Sequence, residues 1–398
     1  MNINRLRELT FRAIATCALF SSWSLQSCDQ RATDSTTKIN ELKFKYEILA
    51  DSLMIPWNIQ IGPDGFLWAT EQVRKVIRIS TDGQQILPVP LQEFHRDSFY
   101  AFGMAFHPDF LENGLLYMSI MYPPHTSAAY TGYLDVVIAQ YNPSLSSITL
   151  TSVIIDSLHT DQMGNPGGRM IITADDKLLV VSSCEADFEG ALDTNLLEGK
   201  MLRFNLDGSI PKDNPFPNSP VYSIGHRNPQ GLILMEDGTI YSSEHGPSTD
   251  DEFNRIEKGR NYGWPLVRGV SDSAAEKRIS DSLQVKESLF CWTPTIAPSS
   301  LCYYGHSKLH SLENRFLVSS LKENDIRVLS LKDDDNVMED HVIFDGEFGR
   351  IRDMEVDTAG NLYLSTANIL PFSRTVYDHI PKDTSLVYDV IVKVYQED

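Results

Sequence analysis

Apolar residues in this chain come in short runs that follow a polar turn and end in Ser or Thr, and the arrangement recurs six times. The first unit reads Pro63-Asp64-Gly65-Phe66-Leu67-Trp68-Ala69-Thr70 and the fourth Glu236-Asp237-Gly238-Thr239-Ile240-Tyr241-Ser242-Ser243. Residues 107–119, 175–182 and 358–365 repeat the pattern, and 314–320 is a degenerate copy. An Asp-Gly pair between apolar runs marks a tight hairpin, because its turn needs residues that tolerate φ > 0. Trp68, Tyr117, Leu179, Tyr241, Phe316 and Tyr363 are equivalent landmarks, spaced by 49, 62, 62, 75 and 47 residues. Such spacing holds four strands with their loops. No stretch carries a convincing helical period. The predicted fold class is all-β, a six-bladed β-propeller of four-stranded units closed in a ring. The competing arrangement is a pair of β-sandwiches whose turns coincide.

Both ends of the repeat region support closure. Residues 43–48 and 388–395 alternate as strands do, and two terminal strands sharing one blade would remove the edges of an open sheet. The widest spacing, between Tyr241 and Phe316, leaves room for an insertion around residues 267–286. Large loops on a rigid ring usually carry specificity.

The first 42 residues do not fit the repeat. Arg5, Arg7 and Arg12 precede an apolar run at 13–23 that is too short to span a bilayer, the order of a secretory signal. Leu25-Gln26-Ser27-Cys28 resembles a bacterial lipobox, in which the cysteine is lipidated; cleavage at another site is the alternative. The division is a signal peptide at 1–27, a polar tether at 28–42 and the propeller at 43–398. An exported, lipid-anchored protein at the periplasm or cell surface follows, touching the membrane through Cys28 alone. The net charge of −20 argues against nucleic-acid binding. With Cys17 in the signal and Cys28 lipidated, Cys184, Cys291 and Cys302 remain, and three thiols are favoured over one disulfide plus a thiol. No cysteine or histidine spacing suggests zinc.

Candidate chemistry concentrates in residues 225–265, GHRNPQGLILMEDGTIYSSEHGPSTDDEFNRIEKGRNYGWP. His226-Arg227-Asn228-Pro229, the acidic run Asp250-Asp251-Glu252 and a Tyr262-Gly263-Trp264 turn crowd around one hairpin, a density of polar groups that no core needs. This stretch resembles the soluble quinoprotein glucose/sorbosone dehydrogenase family. So do MAFHPDF at 104–110, GKMLRFNLDGSIP at 199–211, PTIAPSS at 294–300 and Arg350-Ile351-Arg352-Asp353, all in the family's order over roughly residues 50–395.

The resemblance implies a six-bladed propeller that binds pyrroloquinoline quinone (PQQ) and calcium and oxidises an aldose sugar or similar alcohol. Lys322, Arg350, Arg352 and Thr295 match positions that hold PQQ, whose three carboxylates suit guanidinium and ammonium partners. Arg350 and Arg352 are two apart, so on a strand they would face one side. One extra residue precedes Thr295, which leaves the register of Trp292 open. Arg227 and Asn228 match the pair at the quinone carbonyls, where a cation stabilises the charge arriving with hydride. Gly246 and Pro247 match carbonyl ligands of a calcium beside PQQ, which would polarise the quinone. Asp251, Glu252 and Tyr262 match a second, structural calcium site. His226 reads as a structural histidine.

The pattern breaks on the sugar side. Where the family carries its general base, a His ahead of Gly-Gly-Arg, this chain has Asn165 ahead of Pro166-Gly167-Gly168-Arg169. An amide cannot accept a proton at neutral pH, and a general base contributes about 10²–10⁴-fold. The family's Thr-x-Gly-Asp is here Ser182-Ser183-Cys184-Glu185, and residues 98–103 also depart. Three readings follow: a dehydrogenase with a relocated base, for which His159, Asp161, Glu185 and Asp187 are nearby in sequence; a PQQ-binding or sensing module; or a surface scaffold without PQQ. Substrate and electron acceptor are not legible.

Overall fold

The structure is a computed structural model that describes residues 44–72, 75–92, 96, 98–123, 132–160, 167–185, 189–332, 336–369 and 388–396. Cys28, the signal and the tether lie outside the described residues. Six sheets follow one another along the chain, one per predicted unit, as a six-bladed β-propeller. Each landmark falls in the second strand of its blade: Trp68 in Leu67–Glu71, Tyr117 in Leu115–Tyr122, Leu179 in Lys177–Ser182, Tyr241 in Ile240–Glu244, Phe316 in Arg315–Ser320 and Tyr363 in Leu362–Thr366. The second blade carries a fifth, two-residue strand, Leu91–Gln92, parallel to Ser147–Thr160. The termini close the ring as the alternation predicts. Phe44–Leu53 pairs antiparallel with Asp389–Gln396, which in turn pairs with Leu362–Thr366.

The six largest apolar clusters each fill one boundary between neighbouring blades. A blade is therefore buried on both faces, and its second strand has no polar side to show. Residues 67–71, Leu-Trp-Ala-Thr-Glu, are buried throughout. At the first boundary Trp68 meets Phe106 and Tyr141 edge-on at 5.4 and 5.0 Å, a favoured aromatic geometry.

Two expectations need correction. A helix spans Ala274–Leu283 within the insertion, capped by the Ser273 hydroxyl on the Glu276 N–H at 3.1 Å. Glu276 returns to the Asp272 and Arg268 N–H groups at 3.3 and 3.1 Å. Ser273-x-x-Glu276 is a capping-box signature, so the start was legible; the ten-residue helix is too short and polar for its period to stand out. Among the described cysteines, Cys184 and Cys302 are buried thiols outside any disulfide, but Cys291 is disulfide-bonded. Spacing alone does not say which cysteines pair.

The innermost strands, Pro56–Ile61, Tyr100–Phe106, Gly167–Ile172, Pro229–Leu234, Pro298–Tyr304 and Ile351–Val356, surround the central channel. Where they end, the channel opens into a cavity of about 920 Å³ lined by Gln60, Cys302, His306, Asp353, Glu355 and Asp357 among others. Burial pushes the Glu355 carboxyl up to about 8, against a hydrogen bond from the Ile61 N–H at 3.1 Å. Folding thus favours its protonated form. That stabilisation is complete below the pKa of the unfolded chain and is lost as pH rises through about 8. The melting temperature is expected to fall between pH 6 and pH 9, and Glu355→Gln to flatten the fall; an unchanged slope in the variant would remove this assignment.

Candidate active site

The polar site forms at the other end of the channel, where the innermost strands begin. Its backbone is set by a buried line of side chains. The His226 ring, fully buried, meets the Ser223 hydroxyl at 2.8 Å and Glu244 at 3.1 Å, and stacks on Tyr262 at 4.6 Å. Glu244 also accepts from the Arg227 and Asn228 N–H groups. Gly225 begins the turn with φ 77°, and a Cβ there would come within 2.4 Å of Asn261. His226 is structural, as expected: it fixes the peptide that aims the next two side chains.

The Arg227 guanidinium donates to the His245 carbonyl at 3.0 Å, reaches Glu185 at 3.4 Å and lies 5.4 Å from the Trp264 ring centre. Its Nε is buried and has no hydrogen-bond partner among the described residues. Asn228 donates to Glu185 at 2.7 Å and accepts from Gln230 at 2.7 Å. Gln230 accepts from Arg352, whose guanidinium sits 4.4 Å from the Trp57 ring centre. Trp57 carries a second cation, Arg169, at 4.6 Å.

The rim is stitched from backbone. Arg350 donates to the Leu321 and Ala367 carbonyls at 2.8 and 3.2 Å. The next residue, Lys322, donates to the Thr295 carbonyl and hydroxyl at 2.7 and 3.0 Å. The His245 ring bonds the Pro298 carbonyl at 2.9 Å. Burial, then the charges of Arg352, Arg227 and Arg350, drive His245 down to about 3. Three guanidiniums thus act on one buried imidazole. Arg350 and Arg352 both act on it, though not by simple alternation. The strand starts at Ile351 and its register shifts between Ile351 and Asp353, so Arg350 docks on the rim while Arg352 turns into the channel.

The candidate metal residues are placed differently. Gly246 and Pro247 follow His245 directly, and the Gly246 N–H is held by Asp251 at 2.7 Å. The other Asp251 oxygen accepts from the Ile296 and Ala297 N–H groups at 2.6 and 2.7 Å. Glu252 accepts from the Gly269 N–H and from Asn254, at 2.8 and 2.7 Å. Burial raises Asp251 to about 6 and, with Glu244 opposite on the next strand, Glu252 to about 8. The Tyr262 hydroxyl donates to the Arg255 carbonyl at 2.6 Å and accepts from the Glu257 N–H at 2.8 Å. Each of the three thus spends its side-chain oxygens on the chain's own donors or acceptors. Among the described residues no group of three or more His, Cys, Asp or Glu is arranged to hold a metal.

Of the residues near the missing base, Asn165, Asp161 and Asp187 lie outside the described residues. His159 is exposed on the second blade's fourth strand, 6.1 Å from the Tyr133 ring. Glu185, with its side chain 5% exposed, is the one that reaches Arg227 and Asn228. Sequence reasoning gave no role to His245, Trp57 or Gln230, and named Trp264 only as part of a turn. His245 adjoins Gly246-Pro247 and was within reach of the motif; the others lie on ordinary strands or turns and carry no local signal. Trp292 belongs to the core, its indole N–H on Asp340 at 3.1 Å.

The sequence profile of the Glucose / Sorbosone dehydrogenase family matches residues 53–369. The chain belongs to that family. Among its relatives, the quinoprotein glucose dehydrogenase B of Acinetobacter calcoaceticus is 29% identical, over 83% of this chain and 86% of the relative. An aldose sugar dehydrogenase of Escherichia coli strain K12 is 28% identical, over 80% of this chain and 89% of the relative. The PQQ-bound structure of an aldose sugar dehydrogenase from Streptomyces coelicolor superposes with a TM-score of 0.68 at 24% identity, covering 89% of this chain and 99% of that one. At that identity the likeness speaks to the fold. As a glucose/sorbosone dehydrogenase family member the protein is an oxidoreductase of CH–OH donors.

Proposed function

We propose that this family member oxidises an aldose sugar or similar alcohol with PQQ as hydride acceptor. The observation that carries the reading is the convergence of Arg227, Arg350 and Arg352 on His245. Glu185 meets Arg227, and like charges gathered beside that pair favour a further anionic partner. The buried, unpartnered Nε of Arg227 is a donor still to be satisfied. A planar tricarboxylate meets both demands, so the residues present fit PQQ.

PQQ, when bound, supplies an ortho-quinone able to take a hydride from carbon. The chain's own groups do the rest. Arg350 and Arg352 would hold carboxylates, with Lys322 and Thr295 closing the rim. Arg227 and Asn228 would meet the carbonyls and stabilise the charge that develops there. The Gly246 and Pro247 carbonyls would hold a calcium ion, since hard cations take carbonyl oxygen without needing a particular side chain. Asp251 would then serve by clamping residues 246 and 296–297 together. Export and a lipid anchor at Cys28 would place the enzyme at the periplasm or cell surface.

Reconstitution tests the reading. The apoprotein is titrated with PQQ and calcium while quinone absorbance is followed, and aldoses are then added. Saturable binding followed by bleaching is expected. Binding without bleaching would make the ring a PQQ-binding module, the reading favoured by the loss of histidine at position 165; no binding would dismiss both.

A further inference from the structure

We propose that Glu185 is the general base of this enzyme, in place of the histidine that position 165 lacks. The inference rests on the PQQ reading above. Three observations carry it. First, the Glu185 carboxylate spans Asn228 Nδ2 at 2.7 Å and Arg227 Nη2 at 3.4 Å, the two groups assigned to the quinone carbonyls. A base must lie beside the carbon that gives up hydride, and with PQQ held as proposed that carbon would come close to Arg227 and Asn228. Second, the neighbouring backbone holds Glu185 there: the Cys184 N–H donates to the Arg227 carbonyl at 2.7 Å, and the Trp264 indole donates to the Cys184 carbonyl at 2.7 Å. Third, His245 accepts no role as base. Its Nε2 is spent on the Pro298 carbonyl at 2.9 Å.

The step balances within the groups named. With PQQ bound, the sugar's anomeric C–H bond would break with its electron pair passing as hydride to the quinone. Its O–H bond breaks with the electron pair forming the new C=O, and the proton moves to a Glu185 oxygen. The sugar loses two electrons and the quinone gains them. Arg227 would have a double part: it would stabilise the charge arriving on a bound quinone, and at 3.4 Å it holds the Glu185 carboxylate in place.

The alternative is that Glu185 only positions Arg227 and Asn228, and the experiment separates the two. PQQ binding is measured by absorbance titration in wild type, Glu185→Gln and Glu185→Ala, with calcium present; bleaching by D-glucose and other aldoses is then timed. A base requires that Glu185→Gln bind PQQ as tightly as wild type or more tightly, because a negative charge beside the anion site is gone. Bleaching should slow by roughly 10²–10⁴-fold in both variants. Added formate should restore part of the rate to Glu185→Ala, a small carboxylate entering the space vacated. Loss of PQQ affinity in Glu185→Gln by tenfold or more, or bleaching at the wild-type rate, overturns the assignment while leaving the PQQ reading intact. Wild-type protein that fails to bind PQQ, or whose PQQ stays oxidised with every aldose, overturns the base together with the dehydrogenase reading.

Discussion

Replacing Arg169 by alanine is expected to destabilise the ring by about 3–5 kcal/mol, the cost of leaving one partner of a buried ion pair alone. The side chain is 7% exposed and its Asp353 partner 2%, at 2.9 Å. Arg169 Nε donates to the Gln230 carbonyl at 2.9 Å and Nη2 to the Ser299 carbonyl at 3.3 Å. One residue of the third blade thereby ties the fourth, fifth and sixth, and stacks near Trp57 of the first. Asp353 also accepts from Asn58 and from the Ile59 N–H, at 2.9 and 2.7 Å, so the loss extends to the boundary that closes the ring. Urea unfolding of the apoprotein checks this. A loss of only about a few tenths of a kcal/mol, the size of an ordinary surface effect, would show the clamp to be dispensable, whereas Arg169→Ala/Asp353→Asn should recover part of the loss, because no buried charge is then left unpaired.

The second large effect concerns the cofactor. Arg350→Ala is expected to weaken PQQ binding by roughly 10- to 150-fold, the worth of one charge-assisted hydrogen bond at about 1.5–3 kcal/mol. Arg350 is the clean position to test. Its partners in the protein are the Leu321 and Ala367 carbonyls near the rim, which water can serve in the variant. Arg352, 3% exposed and packed on Trp57, would add a packing loss to the binding loss. Titration of Arg350→Ala with PQQ, beside a melting curve of the same apoprotein, distinguishes the two. Unchanged affinity would remove the cofactor assignment.

Much of this protein is legible along the chain because its architecture is local. A blade is built from consecutive residues, so Asp64-Gly65 and Asp237-Gly238 each announce a hairpin within a few positions of where it forms. Blades touch only their neighbours, so six repeats imply six boundaries. The closing pair, 43–48 with 388–395, is distant in sequence but readable because each strand alternates at one end of the repeat region. Arg227, Arg350 and Arg352 were likewise legible as residues, through motifs whose order matches a family.

Their convergence was not legible. His245 sits among three cations drawn from two blades, and burial together with those charges drives its pKa down. Glu185 was one of four acids and histidines near a broken motif, with nothing in the spacing to prefer it. His159, as close in sequence, ends up exposed on an outer strand. The distinction depends on which end of which strand faces the channel, and that follows from closing the ring, not from any local run of residues. Local pattern therefore decided the blades and the kinds of side chain available. Tertiary closure decided which charges share a pocket, because electrostatic interactions act across space between residues hundreds of positions apart, and a chain's pattern carries no record of those distances until the sixth blade has met the first.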